Sequence, residues 1–182
     1  NAELLIDHAW GWEPCTIADI KEYKPSTNSI GSGQVLPCPY TFEQARLVIR
    51  EMTDLLVLDL VDKRLVTDQL TLTVGYDIEN LTDAGRKKDY KGEIKVDRYG
   101  RKIPRHAHGT VNLDSQTSST KKITDAVMGL YDRIMDKKLL IRRMYLAANK
   151  VVPETAVKQK ETFEQLDLFT DYEALEKQRQ KE

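Results

Sequence analysis

The stretch V-T-D-Q-L-T-L-T-V-G-Y, residues 66–76, decides the fold. Val66, Leu70, Leu72, Val74 and Tyr76 fall on one side of an extended chain; Thr67, Gln69, Thr71 and Thr73 fall on the other. A period of two among β-branched residues predicts a strand with one face buried and one open. The open side is neutral and donor-rich, with threonines and a glutamine in place of Lys/Glu pairs. By itself such a face is either plain β surface or a surface for a partner. The neighbouring elements weigh on that choice.

Just upstream, Thr41-Phe42-Glu43-Gln44 follows Pro39 with the spacing of a capping box. It predicts a helix to about Arg64, with Phe42, Ala45, Ile49, Met52, Leu56 and Leu60 as its buried stripe. Before it, Ile30-Gly31-Ser32-Gly33-Gln34-Val35-Leu36 is a candidate strand. Its glycines mark either a bent edge or a place where a ligand or another backbone comes close. Downstream, residues 78–104 break the pattern. Asp89-Tyr90-Lys91-Gly92 and Asp97-Arg98-Tyr99-Gly100 read as turns in a basic excursion, which is either a solvated loop or a place to meet phosphate. Asp77, Glu79 and Asp83 do not make a calcium loop, because its central Gly and terminal Glu are missing.

A further strand is expected from Arg105 to Leu113. Ala107, Gly109, Val111 and Leu113 face one way, and His106, His108, Thr110 and Asn112 the other. His106 and His108 lack a third metal ligand, so hydrogen bonding to solvent or phosphate is the better reading. Ser118-Ser119-Thr120 caps a second helix with Ile123, Val127, Leu130 and Ile134 on its apolar face. Leu140 to Ala148 is the last strand, and one of Arg142 and Arg143 must look outward. The order strand–helix–strand–strand–helix–strand predicts an α+β fold: a four-stranded antiparallel sheet, two helices on one face, the other face open.

The ends differ from this middle. Residues 1–24 read as two short helices, the second capped at Thr16, and are expected to be the tail of a preceding domain. Beyond Pro153 the chain is polar apart from the island Phe163 to Phe169, which predicts a flexible tail. The 182 residues are 40% hydrophobic and 31% charged, with a net charge of −1, which excludes only a uniformly basic nucleic-acid binder. No apolar run approaches the roughly 20 residues of a membrane span, and the N-terminus is no signal peptide. The missing initiator Met points to a fragment of a longer protein. Cys15 and Cys38 stand alone, so reduced thiols in a cytoplasmic protein are expected.

Residues 26–150 resemble the little-finger domain of Y-family translesion DNA polymerases, nearest the UmuC/DinB-like repair polymerases of Gram-positive bacteria. The resemblance lies in S-x-x-S-I-G-S-G-Q-V-L at 26–36, Y-T-F-E-Q-A-R at 40–46 and L-V-T-D-Q-L-T-L-T-V-G-Y-D at 65–77. It continues in H-G-T-V-N-L at 108–113 and L-I-R-R at 140–143. H-A-W-G-W-E-P-C-T-I-A-D-I at 8–20 resembles the end of the thumb of the same enzymes. The resemblance implies residues 1–25 as the end of a thumb, 26–152 as a DNA-binding little finger and 153–182 as a flexible tail. It also implies an upstream palm holding the catalytic carboxylates and Mg, so no catalytic residue, metal or cofactor is assigned to this stretch.

The implied partner is primer–template duplex, gripped through its phosphates in DNA repair after damage. Gly31, Ser32 and Gly33 would bring backbone close; Thr71, Thr73, His106, His108 and Thr110 offer hydrogen-bonding groups; Arg101, Lys102, Arg105 and Arg143 supply charge. The rivals are an RRM-like RNA-binding module and a small enzyme using His106 and His108. The first lacks stacking aromatics beyond Tyr145, and the second lacks a nucleophile, base and orienting partner. In the tail, Gln165-Leu166-Asp167-Leu168-Phe169 resembles the pentapeptide by which bacterial proteins bind the β sliding clamp, at every position. The other reading of that island is an amphipathic turn packed back on the domain.

Overall fold

Leu70, Leu72 and Val74 are fully buried, and Val66 and Tyr76 nearly so, as the alternation of residues 66–76 requires. The computed structural model describes residues 2–23, 28–97 and 99–157. Two short helices, α1 (Ala2–Ala9) and α2 (Ile17–Glu22), come first, followed by β1 (Ile30–Tyr40), α3 (Phe42–Asp62) and β2 (Leu65–Tyr76). Next come α4 (Glu79–Thr82), α5 (Ala84–Asp89) and the strands β3 (Ile94–Val96) and β4 (Lys102–Pro104). The chain continues through β5 (Ala107–Thr117), α6 (Thr120–Ile134), β6 (Ile141–Asn149), β7 (Val152–Pro153) and a 3-10 turn at Glu154–Ala156.

The main sheet runs β1-β6-β2-β5, with every pairing antiparallel. It has a fifth member that the sequence did not announce: β7 turns back to pair with Leu65 and Val66 at the start of β2. α3 and α6 pack together on one face of the sheet and share its core. α3 starts at the expected capping box, where Thr41 Oγ1 accepts from the Gln44 amide and Gln44 Oε1 accepts from the Thr41 amide. It stops at Asp62, short of the expected Arg64, because Arg64 takes a left-handed φ of 53° and turns the chain into β2. All six expected stripe residues of α3 are buried. Where the two helices meet, the Phe42 and Tyr131 rings lie 4.9 Å apart, and Tyr131 Oη donates to the Phe42 carbonyl at 2.8 Å. Burial pushes that phenol well above its ordinary pKa.

Two expectations need correction. Residues 78–104 are not a plain loop: they hold α4, α5 and a β3–β4 hairpin in which the Gly100 amide donates to the Asp97 carbonyl at 3.0 Å. Thr67 is buried, not outward. The register of β2 slips between Thr67 and Gln69, and the Thr67 hydroxyl turns in to donate to the Asn149 carbonyl at 2.6 Å. Ser32 pairs with buried Leu146, so its side chain belongs to the helix-bearing face, opposite Gly31 and Gly33. The clamp-like pentapeptide at 165–169, the rest of the tail from 158 and residues 24–27 lie outside the described residues. α2 forms at the cap expected at Thr16, yet it buries no residue: its Ile17 and Ile20 stand exposed, as do Trp10 and Trp12 before it.

Candidate nucleic-acid interface

The sheet face away from α3 and α6 is assembled in rows by the strand register. One row crosses Gly31, Ala147, Thr71 and Thr110; the next crosses Gly33, Tyr145, Thr73 and His108. A third joins Val35, Arg143 and Gly75, and on the other side Asn149, Gln69 and Asn112 line up. None of these side chains carries a negative charge. Apart from Thr67, the β2 donors expected to point outward do so, but with His108, Thr110 and Asn112 they first bond one another. Thr71 and Thr110 hydroxyls meet at 3.0 Å, Thr73 meets His108 Nδ1 at 2.8 Å, and Gln69 Nε2 donates to Asn112 Oδ1 at 2.8 Å. Asn149 Nδ2 adds a bond to Thr71 Oγ1 at 2.8 Å. This ladder ties the strands together across the face while leaving each hydroxyl with spare capacity for a further partner.

Two side chains of β6 rise from this face and lean in opposite directions. Tyr145 lies across β1: a Cβ on Gly31 would stand 2.7 Å from its hydroxyl, and one on Gly33 would stand 3.3 Å from its ring. The glycines therefore make room for Tyr145, which the sequence reading assigned to an approaching partner. Arg143 leans the other way across β2, where a Cβ on Gly75 would stand 2.6 Å from its Cγ. The register of β6 against β2 slips between Gly75 and Tyr76, which pair with Arg143 and Ile141. Arg142 is thus the extra residue of a bulge, and neither arginine enters the core. Arg142 turns toward Asp77 at 3.8 Å and Arg143 stays exposed on the open face.

The β3–β4 hairpin stands at the Arg143 end of the sheet and brings the remaining predicted cations. Lys102 is exposed on β4. Arg101 is held by Asp97, with Nη2–Oδ2 at 2.7 Å, and its guanidinium sits 5.1 Å from the Tyr99 ring centre. Bonds from the Arg101 and Tyr99 amides and from the Arg101 side chain hold the Asp97 carboxyl below its ordinary pKa. Arg105 pairs with Glu93 at 2.7 Å. His106 lies in the link between β4 and β5, with its pKa lowered by burial first and then by Lys95, His108, Arg105 and Arg143.

Gly31, Gly33, Thr71, Thr73, His108, Thr110 and Arg143 therefore share one face, with Arg101, Lys102, Arg105 and His106 gathered at its end. Sequence reasoning missed Lys95 and the part played by Tyr145. A tyrosine across from two glycines on a neighbouring strand becomes legible only once the register is known. Among the described residues there is no group of three potential metal ligands, and no helix is long and apolar enough to cross a membrane.

The profile of the impB/mucB/samB family C-terminal domain matches residues 27–168. Among solved structures, the chain is similar to an insertion ternary complex of Dbh DNA polymerase, at 9% identity over 74% of this chain and 33% of that one, TM-score 0.46. It is also similar to the little finger domain of PolIV in complex with the beta-clamp processivity factor, at 9% identity over 79% and 100% of the two chains, TM-score 0.42. A DinB family error-prone DNA polymerase from Sulfolobus solfataricus matches at 12% identity over 83% and 36%, TM-score 0.38. The chain thus spans about a third of the length of the Dbh polymerase. No curated protein sequence matches it.

Proposed function

The chain belongs to the impB/mucB/samB C-terminal-domain family of the Y-family DNA polymerases, and from that membership we propose that it is the DNA-gripping, non-catalytic part of an error-prone translesion polymerase. The observation that carries this reading is the open sheet face, whose rows hold hydroxyls, amides, an imidazole and Arg143 but no carboxylate. A duplex presents a regular double row of phosphates, and a sequence-neutral grip needs cations and donors without base-edge readers. The face and its flanking hairpin offer that chemistry. Residues 1–25 are proposed to end a thumb, 26–152 to form the little finger, and 153–182 to be a tail that tethers the polymerase to the β sliding clamp. The exposed Trp10, Trp12, Ile17 and Ile20 support the first assignment, because they have no place in the core of the sheet domain. Catalysis and its Mg would belong to the palm of the cytoplasmic parent enzyme.

An RNA-binding reading gains no support. Tyr145 is the one aromatic side chain among the row positions, and it rests across Gly31 and Gly33. The test is affinity for primer–template duplex against single-stranded RNA, measured across a salt series. Duplex is expected to bind more tightly. Charge reversal at Lys102 or Arg143 should weaken binding to all duplex sequences alike and lower the log–log salt slope by about one unit for each phosphate no longer neutralised. Reversal at Arg101 or Arg105, already paired with Asp97 and Glu93, should cost less. Tighter binding of RNA, or a loss confined to one duplex sequence, would overturn the reading.

A further inference from the structure

Between the β3–β4 hairpin and the open sheet lies a cleft lined by Lys95, Arg101, His106 and Arg143. A second cleft, containing Thr73 and Tyr145, joins it at His106 and Arg143. Arg143 can lie across the wall of that second cleft because Gly75 has no Cβ, which would stand 2.7 Å from the arginine Nε. Among the described residues, neither Lys95 nor Arg143 has a carboxylate within ion-pair distance, while Asp97 and Glu93 engage Arg101 and Arg105. The cleft therefore holds an excess of positive charge at a place where a backbone phosphate laid on the sheet would meet the hairpin.

We infer that this cleft is a notch for one phosphate of the duplex backbone, and that His106 binds that phosphate as an imidazolium. The inference rests on the DNA-gripping reading and adds to it a defined subsite and a proton. The groups that face His106 come from every neighbouring element. Lys95 and the Asp97–Arg101 pair lie on the hairpin, Arg105 precedes it in the chain, His108 is on β5 and Arg143 on β6. Asp77 and Arg142 line a third cleft, which shares Asp97, Arg101, His106 and Arg143 with the first. With no anion present, partial burial and these cations keep the imidazole neutral at physiological pH. A phosphate placed among Lys95, Arg143 and His106 reverses the local field and makes the protonated ring, with two N–H donors, the favoured form.

The linkage then has a definite sign. The pKa of His106 is higher with DNA than without, so duplex affinity is greatest below the free-protein pKa. It falls as pH rises toward the pKa in the complex and is level above that. The loss across that window is about tenfold for each unit by which DNA raises the pKa.

Duplex affinity measured between about pH 5 and 8 at fixed ionic strength, with the His106 ring followed by NMR in the free and bound protein, tests this. The expected results are a His106 pKa that rises on adding duplex and an affinity that falls with pH. H106Q, which retains a donor but cannot titrate, is expected to lose most of that slope and to bind at every pH as the wild type does at high pH. Duplex binding whose pH dependence survives in H106Q, or an unchanged His106 pKa on binding, would sink the notch and leave the grip standing. Failure of the wild type to bind duplex at any pH would sink the grip itself and the notch with it.

Discussion

At the scale of single residues, Tyr145 accounts for the two glycines of β1. It sits in register with Gly33, and its hydroxyl reaches the position where a Gly31 side chain would be. Gly31→Ala would press a methyl against that hydroxyl, against Ala147 Cβ at 3.0 Å and against the Leu146 carbonyl at 3.0 Å. Overpacking of this kind costs about 1–3 kcal/mol. The tyrosine can swing away while the strand backbone cannot, so Tyr145→Ala in the G31A background should recover part of the loss. A double-mutant cycle by urea unfolding measures the coupling, and strict additivity would show that the two sites do not touch. The sequence held the glycines and the tyrosine in plain view. It could not pair them, because the register between two strands so far apart in sequence is not a local property of either.

At the scale of elements, the 78–104 excursion is anchored by Asn80. This fully buried side chain donates to the carbonyls of Asp77 and Leu140 at 2.9 and 2.8 Å, and accepts from the Leu140 amide at 2.9 Å. It fastens α4 to the residue just before β6, upstream of the hairpin that carries Arg101 and Lys102. Asn80→Leu leaves the Leu140 amide buried without its partner, a loss of about 1–3 kcal/mol. Hydrogen exchange should show faster opening of residues 78–104 and of the Leu140 amide, with α3 unaffected. Uniform loss of protection across the domain would mean that Asn80 supports the core as a whole. None of this was legible beforehand. Helices of four and six residues and strands of three are too short to display a period, and an asparagine in a basic stretch resembles any other loop residue. α3 and β2, at 21 and 12 residues, show their periods plainly.

At the scale of the whole molecule, the proposed division of labour sets the domain against the tail. In that proposal the sheet would grip DNA through many weak phosphate interactions, and residues 165–169 would add a tether whose gain is effective concentration. Replacing Leu168 and Phe169 with alanine should abolish binding to the β clamp while duplex affinity and Tm stay almost unchanged. A large fall in Tm with clamp binding intact would place both residues in the core and end the clamp reading. The salt series and the pH series probe the other half of that division, since neither the hairpin cations nor His106 belongs to the tail.

The sequence by itself determined the elements with long periods: the buried face of β2, the capped α3 with its six-residue stripe, and the alternation of β5. Periodicity is a local property, and burial enforces it residue by residue. It also placed Thr71, Thr73, His108 and Thr110 on the outward side, because their neighbours along the chain are apolar or glycine. Tertiary structure alone decided which outward groups meet. The bulge at Arg142, the slip that turns Thr67 inward, the return of β7 and the seat of the hairpin beside Arg143 are relations between distant segments. Such relations depend on strand register and loop geometry, in which a one-residue shift exchanges the two faces of a strand.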